Sequence, residues 1–225
     1  IDRWRIGATG HSGGGNAAIR GANCFGREAE RTGEPSKLHS VFVSGYVLTL
    51  RDDVLEDVRS NIGVSYAFYD EGAYRNELGN GDMRIAPEAL RVVNLGRDPS
   101  LPPVAEVELG KHYGDLADRT FRVIHNERVL HPFQPYMIEA MANQIEYFEH
   151  VFGLDTGLSS TDQVWYWKEL LSLVSLVSAV TLLIPLGRAL LRLPAFASLV
   201  HPVPPPLPRP AGRGDGDLHG LALRD

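Results

Sequence analysis

The feature that most constrains this chain is an uninterrupted apolar run in its second half. Residues 170–187 contain no charged side chain. As a helix this run would extend about 27 Å, close to the roughly 30 Å hydrocarbon core of a bilayer. Trp165, Tyr166 and Trp167 stand directly before it, where aromatic residues mark a membrane interface. The pattern predicts one transmembrane helix with its flanks over residues 165–193; the alternative is a buried helix of a soluble core.

Serines recur along one side of this run. Ser172, Ser175 and Ser178 are spaced by three, and small hydroxyl residues allow helices to approach closely. We therefore expect the lipid bilayer as a partner, with further membrane helices as possible contacts. A substrate transporter is the least favoured class, since the run holds no ionisable residue.

The basic residues around the run predict its orientation. Lys168 is the single basic residue in positions 155–169, whereas Arg188 and Arg192 follow the run closely. Lys and Arg favour the cytoplasmic flank. The residues before the run are thus expected on the extracytoplasmic side.

Composition limits the classes of protein to which the chain can belong. The hydrophobic share of 44% and the charged share of 22% are typical of globular proteins. A net charge of −6 argues against a nucleic-acid partner, because such proteins usually carry a basic patch. The single cysteine, Cys24, excludes an intramolecular disulfide framework and a cysteine-based zinc site.

Residues 1–154 alternate strand-like and helix-like patterns, which favours an α/β domain with a mostly parallel sheet and flanking helices. We expect residues 155–164 to be a linker and the Pro- and Gly-rich residues 194–225 to be disordered. The pattern predicts strands at residues 5–9, 39–46, 62–68, 105–109 and 120–124, and helices at residues 16–24, 51–59, 87–93 and 135–152.

A glycine-rich turn carries the sharpest chemical signal. Gly10-His11-Ser12-Gly13-Gly14 lies between a predicted strand and a predicted helix. This matches G-x-S-x-G, in which a strained strand-to-helix turn projects a nucleophilic serine. The helix N-terminus adds partial positive charge, so the Gly13 N–H is a candidate oxyanion donor. The alternatives are a serine-capped turn or a phosphate cradle.

A nucleophilic serine needs a base and an acid, which follow in the order Ser, Asp or Glu, His in this kind of sheet. Asp70 comes just after the strand at 62–68 and is the predicted acid, with Glu71 as its close rival. His131 lies in the loop after the last predicted strand and is the predicted base, with His125 as its rival. His11 is expected to point away from the site.

The order of these motifs resembles the alpha/beta-hydrolase superfamily. The stretch from Arg5 to Gly14 looks like the strand and nucleophile elbow of its esterase, lipase and peptidase-like members, and Tyr69-Asp70-Glu71 and His131-Pro132-Phe133 are similar to its acid and histidine loops. The resemblance covers about residues 3–153. It implies the C-terminal half of the catalytic domain, without the strands that precede the elbow, and a membrane-linked bacterial type.

The predicted function is a membrane-anchored serine hydrolase that cleaves an ester, thioester or amide bond of a small acyl substrate. Ser12, Asp70 and His131 would act through an acyl-enzyme, with no cofactor or metal. The rival is a catalytically inactive hydrolase-like scaffold of a membrane assembly. Geometry discriminates between them, because a working triad must meet at one sheet edge.

Overall fold

The computed structural model describes residues 2, 4–95, 97–98, 100–202 and 205. Residues 1–163 and 164–225 form two separate units. In the described part of the first unit, four strands form one sheet in the order β1-β2-β3-β4, and every neighbouring pair is parallel. The strands are β1 (Ile6–His11), β2 (Leu38–Ser44), β3 (Asn61–Ala67) and β4 (Arg122–Glu127). The prediction of an α/β fold with a parallel sheet is confirmed.

Helices cover both faces of this sheet. They are α1 (Gly13–Thr32), α2 (Asp52–Leu55), α3 (Pro87–Asn94) and α4 (Ile138–Phe152), with 3-10 helices at Ala73–Arg75 and His131–Tyr136. Successive strand residues point to opposite faces. Val41 and Val43 therefore join the core beneath α1, α2 and α3, whereas Phe42 joins Val123 and Tyr147 beneath α4.

Two helices differ from their predicted lengths for local reasons. Helix α1 continues to Thr32 and ends where Gly33 adopts a left-handed conformation (φ 73°), a common helix stop. Helix α2 covers only Asp52–Leu55 of the predicted 51–59. The Asn23 amide donates to the Val54 carbonyl at 2.8 Å, and the chain at Asp57 lies directly against Gly26. These contacts replace the bonds of a continued helix.

The predicted strand at 105–109 is wrong. Val107 N–H donates to Arg84 O at 2.7 Å, and Gly110 N–H donates to Ile124 O at 2.8 Å. Two such isolated bonds to different segments do not form a ladder. The predicted helix at 135–152 is divided: Pro135 lies in the 3-10 helix, and α4 begins only at Ile138.

The second unit consists mainly of one long helix, α5 (Trp165–Leu190). It is long and apolar enough to cross a membrane, by length and composition. None of its residues is buried in the part of the chain that the structure describes. A 3-10 helix follows at Pro194–Leu199, within the segment expected to be disordered. Residues 203–204 and 206–225 of that segment lie outside the described residues.

Candidate active site

Ser12 occupies the junction between β1 and α1 in an unusual backbone conformation. Its φ is 56° and its ψ is −119°, a region that non-glycine residues rarely adopt. The Ser12 N–H donates to Ser44 O at 2.8 Å on β2, and Asn16 N–H donates to Ser12 O at 3.1 Å. Strain of this kind persists only where its surroundings fix it, and it is concentrated at functional sites.

The neighbouring glycines make this tight turn possible. A Cβ on Gly10 would lie 2.3 Å from the Gly14 carbonyl carbon, and a Cβ on Gly15 would lie 3.0 Å from the carbonyl oxygens of Gly10 and Ser44. Strand and helix therefore approach more closely than any side chain allows. By contrast, a Cβ on Gly13 or Gly14 would meet nothing within 4 Å. Gly13 is the first residue of α1, so its N–H lies at the positive end of the helix.

The predicted acid and base meet directly. His131 Nδ1 and Asp70 Oδ2 are 2.9 Å apart, although 61 residues separate them in the chain. The Asp70 side chain is only 7% exposed and the His131 side chain 23%. With Nδ1–H donating to the carboxylate, the lone pair of the neutral ring lies on Nε2. This is the tautomer that a general base requires.

Other groups hold the Asp70 carboxylate in place. Gly72 N–H donates to Asp70 Oδ1 at 2.7 Å, so each carboxylate oxygen has its own donor. The buried Tyr66 ring lies beside it. Burial, and secondly the Asp70 charge, raise the pKa of the Tyr66 phenol far above its ordinary value. Tyr66 therefore stays protonated near neutral pH.

The two rivals occupy different environments. Glu71 lines the same cleft, but it is exposed and makes no ion pair with His131 among the described residues. His125 lies on the α4 face of the sheet, with its ring 6.5 Å from that of Phe42. Burial lowers the pKa of His125 to about 4. The geometry thus favours Asp70 and His131 over Glu71 and His125.

A buried polar network positions the segment that carries His131. Gln134 Nε2 donates to Glu127 Oε2 at 2.9 Å and to Ser65 Oγ at 2.8 Å, and Asn143 Nδ2 donates to Glu127 Oε1 at 2.8 Å. Glu127 is 2% exposed at the end of β4. The 3-10 helix, β3, β4 and α4 are thereby joined through one carboxylate. Sequence reasoning missed this network, because a buried Glu and Gln look like surface residues in one sequence.

His11 is the clearest correction to the sequence-based expectations. Its ring does not point away: the His11 and His131 centroids are 4.6 Å apart, with planes at 39°. His11 Nδ1 lies 3.1 Å from Ser44 Oγ. Burial, and secondly the nearby His131, lower the pKa of His11. The only sequence signal was its position directly before the serine.

Ser12, Asp70 and His131 line one cleft of about 310 Å³. Among the described residues, Ser12 Oγ makes no hydrogen bond, so the cleft brings Ser12 near His131 while only the His131–Asp70 part of the triad is hydrogen-bonded. Besides these three residues and Glu71, the lining consists of glycine, apolar and aromatic residues and one cation: Gly45, Tyr46, Val47, Leu48, Tyr66, Gly72, Tyr74 and Arg75. No group of three or more His, Cys, Asp or Glu side chains in the described residues could hold a metal ion.

In comparisons with known proteins, no family model, no curated protein and no solved structure matches the chain. The resemblance to alpha/beta-hydrolases therefore stays a prediction. What the site offers is its own geometry: a strained serine, a histidine and a carboxylate around one cleft.

Proposed function

We propose that the chain is a serine hydrolase of the alpha/beta-hydrolase type, which cleaves an ester, thioester or amide bond. One observation carries the proposal: Ser12, in its strained left-handed conformation, shares a cleft with a His131 ring that is hydrogen-bonded to the buried Asp70. The parallel sheet places all three at the ends of its strands, where ligands bind in α/β proteins.

The residues have distinct tasks in this mechanism. Ser12 Oγ attacks the substrate carbonyl carbon while His131 Nε2 takes its proton. Asp70 keeps the imidazole in the required tautomer and stabilises the imidazolium. The proton then passes from His131 to the leaving group, and an acyl-Ser12 ester remains. Water attacks this ester in the second half-reaction, with His131 again as the base.

The oxyanion forms next to the N-terminus of α1. The Gly13 N–H is the proposed donor, and removal of one such donor costs about 3–4 kcal/mol of transition-state stabilisation in a well-built site. The backbone of Ser12 fixes this N–H relative to Oγ, since the two belong to adjacent residues. No metal or organic cofactor enters the proposed reaction.

The cleft lining indicates the kind of acyl substrate. Val47 and Leu48 offer an apolar wall, and Tyr74 adds an exposed ring at the same cleft. A volume of about 310 Å³ lies at the lower end of the range for small-molecule sites. We therefore propose a short, mainly apolar acyl group as the substrate.

We further propose that α5 anchors the hydrolase in a membrane. Its length and apolar composition support this, and Trp165 and Trp167 at its start are typical interfacial residues. The catalytic unit would then act next to the bilayer surface.

The test is covalent labelling of the full chain by a fluorophosphonate, which reacts with activated serines. Wild type should be labelled and Ser12→Ala should not, while Ser159→Ala, which removes an exposed serine, should be labelled like wild type. Wild type and Ser159→Ala should also hydrolyse p-nitrophenyl acetate, and Ser12→Ala should not. Equal labelling of wild type and Ser12→Ala would contradict the proposal and favour the inactive scaffold.

A further inference from the structure

A second and larger cavity lies at the opposite end of the strands from Ser12. It has a volume of about 640 Å³, within the range of small-molecule sites. It lies where α1 ends and β4 begins. None of its lining residues belongs to the catalytic cleft; they are Ala29, Glu30, Gly33, Glu34, Pro35, Ser36, Val58, Arg59, Leu95, Asp118, Arg119, Thr120 and Arg122.

Arg122 makes this cavity unusual. It is the first residue of β4 and is only 2% exposed. The three hydrogen bonds of its side chain all leave from Nη1, to the carbonyls of Ser60, Arg119 and Phe121. Its Nε is buried without a partner, and no carboxylate among the described residues forms an ion pair with it. Burial lowers the pKa of Arg122 to about 10, so the side chain remains charged near neutral pH.

A buried cation without a counter-ion is energetically costly. The same cavity contains a second unsatisfied group, the Ser36 hydroxyl, which is buried and has no partner among the described residues. Arg119 adds another guanidinium, whose Nη1 donates to Ser36 O at 2.7 Å. Its φ of 55° holds it in a rarely populated conformation. Arg119 and Arg122 thus bring two guanidinium groups to one cavity, next to the buried and unsatisfied Ser36 hydroxyl.

The lining carries three guanidinium groups, on Arg59, Arg119 and Arg122, and three carboxylates, so its formal charges balance and what matters is which groups are paired. Glu30 is ion-paired with Arg59, and Glu34 and Asp118 are exposed. These two carboxylates disfavour a multiply charged anion by repulsion. A single negative charge can reach Arg122 at much lower cost.

The remaining walls are apolar and suit a hydrocarbon body. Ala29 and Pro35 come from the end of α1 and the turn after it, while Val58 and Leu95 close the other side. A ligand that fits these walls therefore combines one anionic head with a compact apolar body. A carboxylate matches a guanidinium geometrically, since its two oxygens accept from adjacent N–H groups.

We propose that this cavity binds a small monocarboxylate with an apolar or aromatic body, with the carboxylate on Arg122. The site is distinct from Ser12 and does not depend on the proposed hydrolase activity. Arg119, which lines the same cavity, assists the same head group.

The test uses the full chain in lipid nanodiscs, with 4-fluorobenzoate as the probe and fluorine NMR as the measurement. Line broadening should show saturable binding of 4-fluorobenzoate to wild type, with empty nanodiscs as the blank. The matched alcohol, 4-fluorobenzyl alcohol, should bind at least about tenfold more weakly, because a charge-assisted hydrogen bond is lost. Equal binding of the acid and the alcohol, or binding of neither, would overturn the proposal.

Variants locate the site. Arg122→Met should weaken 4-fluorobenzoate binding by about tenfold or more, whereas Arg20→Gln, which removes an exposed arginine outside the cavity, should bind like wild type. Circular dichroism establishes that each variant is folded. If Arg122→Met does not fold, Ala29→Trp, which fills the apolar wall, should abolish binding. Unchanged binding in a folded Arg122→Met or Ala29→Trp would overturn the assignment to this cavity.

Discussion

The imidazole ring of His11 lies against that of His131, with 4.6 Å between their centroids. Burial and the neighbouring ring both lower the pKa of His11. The lowered pKa favours the neutral form of His11 beside the His131 ring. A neutral ring tolerates an imidazolium beside it, whereas a second cation would oppose it.

A positive charge at position 11 should therefore lower kcat more than the loss of the imidazole ring does. His11→Lys should lower kcat about ten- to a hundredfold, because a fixed cation about 5 Å away disfavours the His131 imidazolium by about 1–3 kcal/mol. His11→Phe keeps a ring without a charge and should change kcat much less. Initial rates of p-nitrophenyl acetate hydrolysis measure both. Similar losses in the two variants would show that His11 acts through packing alone.

Matched substitutions distinguish the roles of two neighbouring carboxylates, Asp70 and Glu71. Asp70→Asn should lower kcat by about 10³- to 10⁴-fold, since it disturbs the tautomer and leaves the imidazolium without its partner. Glu71→Gln, an isosteric change one residue away on an exposed side chain, should alter kcat less than about threefold. The same ester assay and the rate of fluorophosphonate labelling report the difference. A larger loss in Glu71→Gln would transfer the acid role to Glu71.

The local parts of the site could be predicted from the sequence. The strand, glycine turn and helix around Ser12 are contiguous, so their pattern is visible in a few residues. Asp70 and His131 could be placed because parallel strands end at one sheet edge. The coarse α/β fold followed from the alternation of strand and helix patterns.

The non-local parts could not be predicted. The contact of His11 with His131 brings together the glycine turn and the 3-10 helix at His131–Tyr136, which a buried hydrogen bond from Gln134 to Glu127 ties to β4. The burial of Arg122 could not be predicted either. A charged side chain is normally exposed, and only the assembled sheet and helices bury this one. The false strand at 105–109 arose because apolar residues also occur in packed loops.

Because β1 and α1 approach closely, substitutions of Gly10 and Gly14 should have very different effects on the free energy of unfolding. Gly10→Ala should destabilise the fold by about 1–3 kcal/mol or more, since its Cβ would lie 2.3 Å from the Gly14 carbonyl carbon. The Cβ added in Gly14→Ala would meet nothing within 4 Å, so this variant should be as stable as wild type or more stable. Urea unfolding in dodecyl maltoside micelles measures both. Equal stability of the two variants would contradict the observed packing.

His125 predicts a pH dependence of stability. Burial lowers its pKa from 6.5 to about 4 in the folded chain, with Glu146 and His112 as the charged neighbours. The unfolded state therefore binds the proton more readily, so stability is fully present above pH 6.5 and is lost as the pH falls towards 4. The expected loss is about 3 kcal/mol. The slope of unfolding free energy against pH should be smaller in His125→Gln, and an unchanged slope would assign the effect to other groups.

The basic residues that flank α5 predict its orientation. Arg188 and Arg192 follow the apolar run, while Lys168 is the single basic residue in positions 155–169 before it, so the tail should remain in the cytoplasm and residues 1–163, the proposed catalytic unit, should face outward. Proteinase K added to spheroplasts should then digest the catalytic unit and spare an epitope tag at the C-terminus. Arg188→Gln combined with Arg192→Gln reduces the charge difference and should give a mixed population. Digestion of that unit only after lysis would show the opposite orientation, because the unit would then have been protected inside the cell.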